Sequence, residues 1–405
     1  MHINIIDGSD FVNNIYIFIL CFFIFIFIVL LFKFCNIDKN NIFCFFITVL
    51  IILFVSNIEA SINAALDGLR LCFKAIIPTI FSFSLICNLL ICYDGISTYS
   101  KLIGPLICKP LKLPSNCSFP LVGSILCGYP LGAKFSSNLY ENGDIEKKDY
   151  IRLINIASNT GPIFLIGSVG ASLLGDPKYG YFLLISNYLS IFFIAIITMK
   201  KSSMHQFNAQ KTSFKEISFS VALDKSIKDA LNTTLSVCSY VVAFSVIISI
   251  LKNINFIKDI FFNIENLFNI PRNMLYGTFL GSIELTNGCS IISSSSMSIH
   301  FKLAIISFLA SFSGISIIAQ TFSFIGKHNV SFFRYVFLKL IQGIFSFIFT
   351  FLLSNIVFKS IETYSSNNFF VSNYLLNYLL PILIFLIIIF IIQYIAKNNS
   401  KKLKN

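Results

Sequence analysis

Residues 119–139 read FPLVGSILCGYPLGAKFSSNL. The stretch is as apolar as a membrane-crossing helix and close to the ~20 residues such a helix needs. Yet Gly128, Pro130 and Gly132 fall in its middle. Glycine adopts positive φ and proline removes a backbone donor, so the string GYPLGAK at 128–134 ends one helix and turns the chain. An apolar segment that turns at half length returns to the side it came from. We therefore expect a re-entrant hairpin rather than a span. Irregular backbone of this kind is tolerated at membrane depth only where protein or a water-filled cavity surrounds it.

Composition fits that setting. Of 405 residues, 56% are hydrophobic and 12% charged, with a mean hydropathy of +0.82. A soluble fold would have too little polar surface to cover so much apolar material, so the lipid bilayer is the solvent. Trp is absent, which leaves 47 Phe and 16 Tyr to supply the lipid-facing and interfacial aromatics. The net charge of +12 sits in short loops between apolar spans, where the cytoplasmic preference of basic residues accounts for it; no nucleic acid is implied. Eleven cysteines, Cys21, Cys44, Cys72, Cys87 and Cys238 among them, show no CxxC or Cys/His spacing for a metal and read as small buried hydrophobes. The opening MHINIIDGSD is acidic and no small-residue cleavage site follows its apolar run, so the first span is expected to be retained.

Outward from the hairpin, nine crossings are expected. Spans one and two are residues 15–32 and 42–55. Glu59, Asn63, Asp67, Arg70 and Lys74 then recur at helical spacing opposite Ile62, Leu66, Leu69 and Phe73, the pattern of an interfacial helix, and Pro78 opens span three behind it. Span four starts at Asp144 and Glu146, is interrupted at Thr160, Gly161 and Pro162, and resumes as IFLIGSVGASLL; span five is 179–199. The second half repeats these events. Residues 230–251 form a span, 273–298 a second hairpin containing IELTNG, 301–325 a span interrupted at Gly314, 332–358 another, and 375–395 a final extra one. The expected units are two N-terminal spans (1–58), a first repeat (59–199), a basic linker (200–228), a second repeat (229–358), and a last span with a basic tail (359–405).

A fixed shift supports the repeat: Ala157, Ser158, Thr160 and Gly161 match Ala310, Ser311, Ser313 and Gly314 at an offset of 153. Three crossings separate equivalent spans, so the second unit enters the membrane upside down, the arrangement common in transporters. With the N-terminus outside and the C-terminus cytoplasmic, 21 lysines and arginines fall inside and 8 outside, and Lys339, within span eight, completes the 30.

Glu284 is the only carboxylate of the second hairpin stretch. At membrane depth it needs a cation, a proton or water; if the hairpin is short, it stays in the headgroup region. Thr286 and Asn287 beside it offer oxygens and an amide, and Gly288 permits a tight turn. A proton or a sodium ion is the coupling ion such a site would use. Lys134 follows the first turn and either meets an anion at a helix N-terminus or snorkels to the cytoplasmic surface. Lys148, Arg152, Asn155 and Asn159 form one stripe, which lines an aqueous path or faces other helices. His300 and His328 have no partner at ligand spacing, and Ser293 to Ser296 have no His/Asp partner nearby. No phosphate loop is present, and no enzyme is implied.

Together, GYPLGAK, ASNTGP and GSIELTNG, in that order, resemble the sporulation integral membrane protein YlbJ family, within the nucleoside-recognition or Gate group, over roughly residues 60–358. The resemblance implies an all-α polytopic membrane protein similar to concentrative nucleoside transporters. Its inverted repeats would bring two re-entrant hairpins and two broken helices to a central site. It further implies passage of dipicolinic acid, a small anion, across the outer forespore membrane. Carried over by motif, the site residues are Gly128, Tyr129, Pro130, Gly132 and Lys134, Asn159 and Thr160, Glu284, Thr286 and Asn287, and Ser311 and Ser313. The Gln-Thr-Glu string of nucleoside carriers is missing from the first hairpin, which argues against a nucleoside. Lys134 and helix N-termini suit a planar dianion better. A nucleoside or other small-anion carrier, and a non-transporting scaffold for spore assembly, are the alternatives.

Overall fold

The structure, a computed structural model, describes residues 39–199 and 218–364; the expected spans at 15–32 and 375–395 lie outside the described residues. Among the described residues the chain is helical and contains no strand. This is what a lipid solvent demands, because a helix satisfies its own backbone groups without water.

Helix α1 is Lys39–Ser56 and α2 runs unbroken over Ile58–Cys92. Short helices α3 (Gly95–Leu102) and α4 (Gly104–Ile107) lead to α5 (Ser118–Cys127) and α6 (Leu131–Glu141). Next come α7 (Lys147–Ile156), α8 (Ile163–Leu173) and α9 (Pro177–Ile197). The second half comprises α10 (Phe219–Asn253), α11 (Asn255–Leu267), α12 (Met274–Ile283), α13 (Leu285–Ser293), α14 (Ile299–Phe312), α15 (Gly314–Ile325) and α16 (Phe332–Tyr364).

Among the described residues, five helical stretches are long and apolar enough to cross a membrane: Ile58–Cys92, Pro177–Ile197, Phe219–Asn253, Ile299–His328 and Phe332–Val357. They correspond to the expected spans three, five, six, seven and eight. Expected span two is a shorter apolar helix, Phe43–Ser56, and span four is divided into α7 and α8. Phe43, Ile51, Phe73, Leu235, Phe337 and Leu352 are exposed, the outward apolar surface that lipid would cover. Cys44 lies exposed on α1 rather than buried as expected, because that helix presents most of its side chains outward.

Two boundaries differ from expectation: α10 begins at Phe219, inside the expected linker 200–228, and span three has no separate start. Pro78 does not open a new helix: the interfacial segment and span three are one continuous rod, and Pro78 lies inside wide π turns over Cys72–Phe81. Widening the helix accommodates both the missing proline N–H and its ring without ending the run.

Both expected hairpins are pairs of short antiparallel helices folded on each other. Phe119 at the start of α5 meets Phe135 of α6, ring centres 5.3 Å apart, and a Cβ on Gly132 would fall 2.6 Å from Ser124 Cβ. In the second pair a Cβ on Gly288 would lie 2.2 Å from Gly281 Cα, so only glycine permits that crossing. Two buried clusters hold the centre: Tyr150, Leu153, Ile154 and Ile156 with Ile318 and Tyr335, and Leu165 and Leu183 with Leu285, Cys289 and Leu309. Each cluster joins one half of the interrupted fourth span to elements of the second half, so the core fixes where the two helix breaks meet.

Candidate functional site

The first hairpin tip sits directly on the first helix break. Gly128 has φ +77°, and a Cβ there would fall 2.4 Å from Gly161 N. Tyr129 N donates to the Asn159 carbonyl at 2.7 Å, and a Cβ on Gly132 would lie 2.0 Å from Ala157 O. The Tyr129–Pro130 peptide is cis. Thr160 Oγ1 donates to the Ala310 carbonyl at 2.7 Å, and the Tyr129 hydroxyl donates to Thr160 Oγ1 at 2.9 Å. The tip of one half thus reaches the break of the other, and Tyr129 also packs against the cluster containing Leu285 and Cys289 of the second hairpin.

The second half makes the equivalent contact. Ser313 (φ +81°) and Gly314 (φ +73°) break the long helix, and a Cβ on Gly314 would lie 3.1 Å from Gly281 O. The hydroxyls of Ser311 and Ser313, each 1% exposed as residues, have no hydrogen bond of good geometry, although Ser313 lies beside the Tyr129 hydroxyl.

Glu284 caps a helix. Its carboxylate accepts from Thr286 N at 3.0 Å, Asn287 N at 2.9 Å and Asn287 Nδ2 at 2.8 Å, and Lys252 donates to Asn287 Oδ1. The backbone amides of Thr286 and Asn287 therefore serve Glu284, and Thr286 itself is exposed. Glu265, 1% exposed, does the same for α12, accepting from Asn273 N, Leu275 N and Tyr276 N at 2.9, 2.7 and 3.3 Å. Both helices of the second hairpin begin against a carboxylate. The starts of α6, α8 and α15, at Pro130, Pro162 and Ser313, have no side-chain cap.

Lys134 is not at the tip. It is 9% exposed and donates to Thr233 Oγ1 and to the Asp229 carbonyl, 3.3 Å away, both on α10. Gly132 faces the first break two residues earlier, so Lys134 projects from another side of α6. It neither snorkels nor reaches the tip cluster. The stripe on α7 does not line one path either. Arg152 is buried and donates to the carbonyls of Leu111, Lys112 and Ala195, whereas Lys148 is exposed and paired with Glu146 at 2.7 Å. His328 Nε2 lies 2.8 Å from Ser137 Oγ and 3.0 Å from Glu141 Oε1, hydrogen-bond partners rather than a ligand set.

Two residues important to the breaks were not singled out from sequence. Lys339, 1% exposed, donates to the Ser158 carbonyl and to Gln342 Oε1 at 2.9 Å, and Gln342 Nε2 donates to Asn159 Oδ1 at 3.1 Å. The signal was present in a lysine set well inside an apolar span.

Fold and site together define an integral membrane protein, all-helical where described, whose two interrupted helices and two short helix pairs converge. The chain is similar to the sporulation integral membrane protein YlbJ of Bacillus subtilis (strain 168), 22% identical over 357 residues that cover 80% of this chain and 87% of the relative. That match supports the family to which the three motifs point. No family model matches the chain, and no solved structure does.

Proposed function

We propose that the protein is a carrier, not an enzyme, for a small carboxylate anion, dipicolinate foremost, in the outer forespore membrane during sporulation. In this reading the N-terminus is outside and the C-terminus cytoplasmic. The two halves form inverted repeats, and the helix pairs α5–α6 and α12–α13 are re-entrant hairpins. The sporulation setting follows the name of the relative.

The observation that carries the reading is the meeting of three uncapped helix starts at one place. The helices of the second hairpin begin on Glu265 and Glu284, but those starting at Pro130, Pro162 and Ser313 have no capping side chain. These free starts gather around the Tyr129, Thr160 and Ala310 contacts, with the hydroxyls of Ser311 and Ser313 buried beside them. Open helix N-termini and spare hydroxyl donors suit a carboxylate. The Glu284 carboxylate beside this site is already taken up by the amides of Thr286 and Asn287, and the Lys252 ammonium on Asn287 offsets its charge.

Vesicles containing the purified chain and loaded with buffer should take up labelled dipicolinate, with competition from unlabelled dipicolinate and little from uridine. Preferential competition by uridine would return the nucleoside reading. No uptake of either, by protein that remains folded in the vesicle, would favour a scaffold.

A further inference from the structure

Lys339 lies inside α16, and its ammonium is held by oxygens alone. The Ser158 carbonyl and Gln342 Oε1 accept from it, and the Tyr335 ring centre is 6.0 Å away. Among the described residues no carboxylate forms an ion pair with it. Helices α9 and α14, which pack along α16, contain no acidic residue, and α7, which touches it, has only Asp149, more than two turns before Ser158. A buried lysine without a counter-charge needs a reason.

Its location supplies one. Helix α7 ends at Ile156, so Ser158 belongs to the unwound segment beyond the negative end of a half-helix. Interrupted membrane helices use such ends, and the carbonyls they free, to hold a coupling cation. The Lys339 ammonium has that charge and that environment: a carbonyl from unwound backbone and a side-chain amide oxygen. The same amide group continues to the tip, because Gln342 Nε2 donates to Asn159 Oδ1 and the Asn159 carbonyl accepts from Tyr129 N. A charge placed here is therefore connected through two hydrogen-bonded residues to the first hairpin.

We propose that Lys339 is a tethered monovalent cation, filling at the first helix break a site that in other carriers takes a free one. The side-chain nitrogen then occupies the place of a free cation, and sodium has no place there in the native protein. The inference holds whatever the substrate is. Cutting the side chain back to Cβ leaves an oxygen-lined space of the right charge for a small cation, whereas methionine refills it with apolar chain.

The test is thermal unfolding of the purified full chain in detergent, in choline, sodium, potassium and methylammonium chloride. The native protein should melt at one temperature in all four. Lys339→Ala should melt lower in choline and recover in at least one small cation, or be isolable only in its presence. Lys339→Met should melt lower and recover in none. The proposal is overturned if Lys339→Ala responds to small cations no more than the native protein or Lys339→Met does. It is equally overturned if the native protein is itself stabilised by sodium, or if Lys339→Ala is folded in none of the salts.

Discussion

A Cβ on Gly128 would fall 2.4 Å from the amide nitrogen of Gly161, so the first hairpin tip and the first helix break meet backbone to backbone. Neither side has a flexible side chain that could yield. Gly128 also has φ +77° with ψ −162°, a nearly glycine-only region that costs an L-residue roughly 1–3 kcal/mol.

Gly128→Ala is expected to lower stability by more than this strain alone, about 2–4 kcal/mol once overpacking is added. Gly167→Ala is the control: a Cβ there meets nothing within 4 Å, and alanine is favoured in a helix interior by about 1 kcal/mol. Thermal unfolding in detergent should separate the two clearly. Equal melting temperatures would mean that the tip and break do not touch in the folded protein.

The two capping carboxylates should differ in weight. Glu265 is 1% exposed and serves three backbone amides, whereas Glu284 is half-buried and its helix begins beside exposed Thr286. Loss of an exposed cap costs about 0.5–2 kcal/mol, and a buried charge-assisted bond about 1.5–3 kcal/mol. Glu265→Ala should therefore lower the melting temperature further than Glu284→Ala, with Glu284→Gln milder than either because the amide oxygen still accepts. If Glu284→Ala proves the more damaging, its carboxylate has a role beyond capping.

Lys134 ties the first hairpin to α10 through Thr233. Lys134→Met and Thr233→Val should each destabilise the protein, and the double variant should lose less than the two singles combined, by about 1–3 kcal/mol of coupling. Lys134→Glu should be worst, since it buries a carboxylate facing the Asp229 carbonyl. Additive losses would show that the contact contributes nothing, and a fall in dipicolinate uptake with stability unchanged would restore Lys134 to the substrate site.

Much of this arrangement was legible because glycine and proline interrupt apolar sequence for few reasons. Gly128, Pro130, Gly161, Pro162 and Gly314 marked three interruptions that the structure places together. Side-chain direction was less legible. Lys134 follows the turn in sequence, but two residues of helix carry it to another side of α6 from Gly132. Glu284 was chosen as a costly lone carboxylate, and its partners are the amides of its own helix, a local bond that residue spacing alone did not distinguish from a ligand site. Pro78 misled because a helix start and a π-widened interior show the same residue. Lys339 showed only half of its setting in sequence, since Gln342 is three residues on but Ser158 is 181 residues away along the chain.

The last prediction separates substrate recognition from architecture at Tyr129. Its hydroxyl donates to Thr160 Oγ1, its backbone N–H to Asn159, and its ring packs in the cluster with Leu285. Tyr129→Phe keeps the ring and the backbone bond, so stability should fall by no more than about 1.5 kcal/mol, the net value of one hydrogen bond. Ser311→Ala and Ser313→Ala remove hydroxyls that have no protein acceptor or donor of good geometry, and should leave the melting temperature nearly unchanged. If the uncapped starts at Pro130, Pro162 and Ser313 cradle a carboxylate, these hydroxyls become donors only when the anion is bound. Each serine variant should then weaken dipicolinate uptake by roughly tenfold, about 1.4 kcal/mol, as a raised half-saturation concentration at unaltered stability. Gains in stability without loss of uptake would place the two hydroxyls among buried groups that the fold merely tolerates, and the anion's path would have to lie elsewhere.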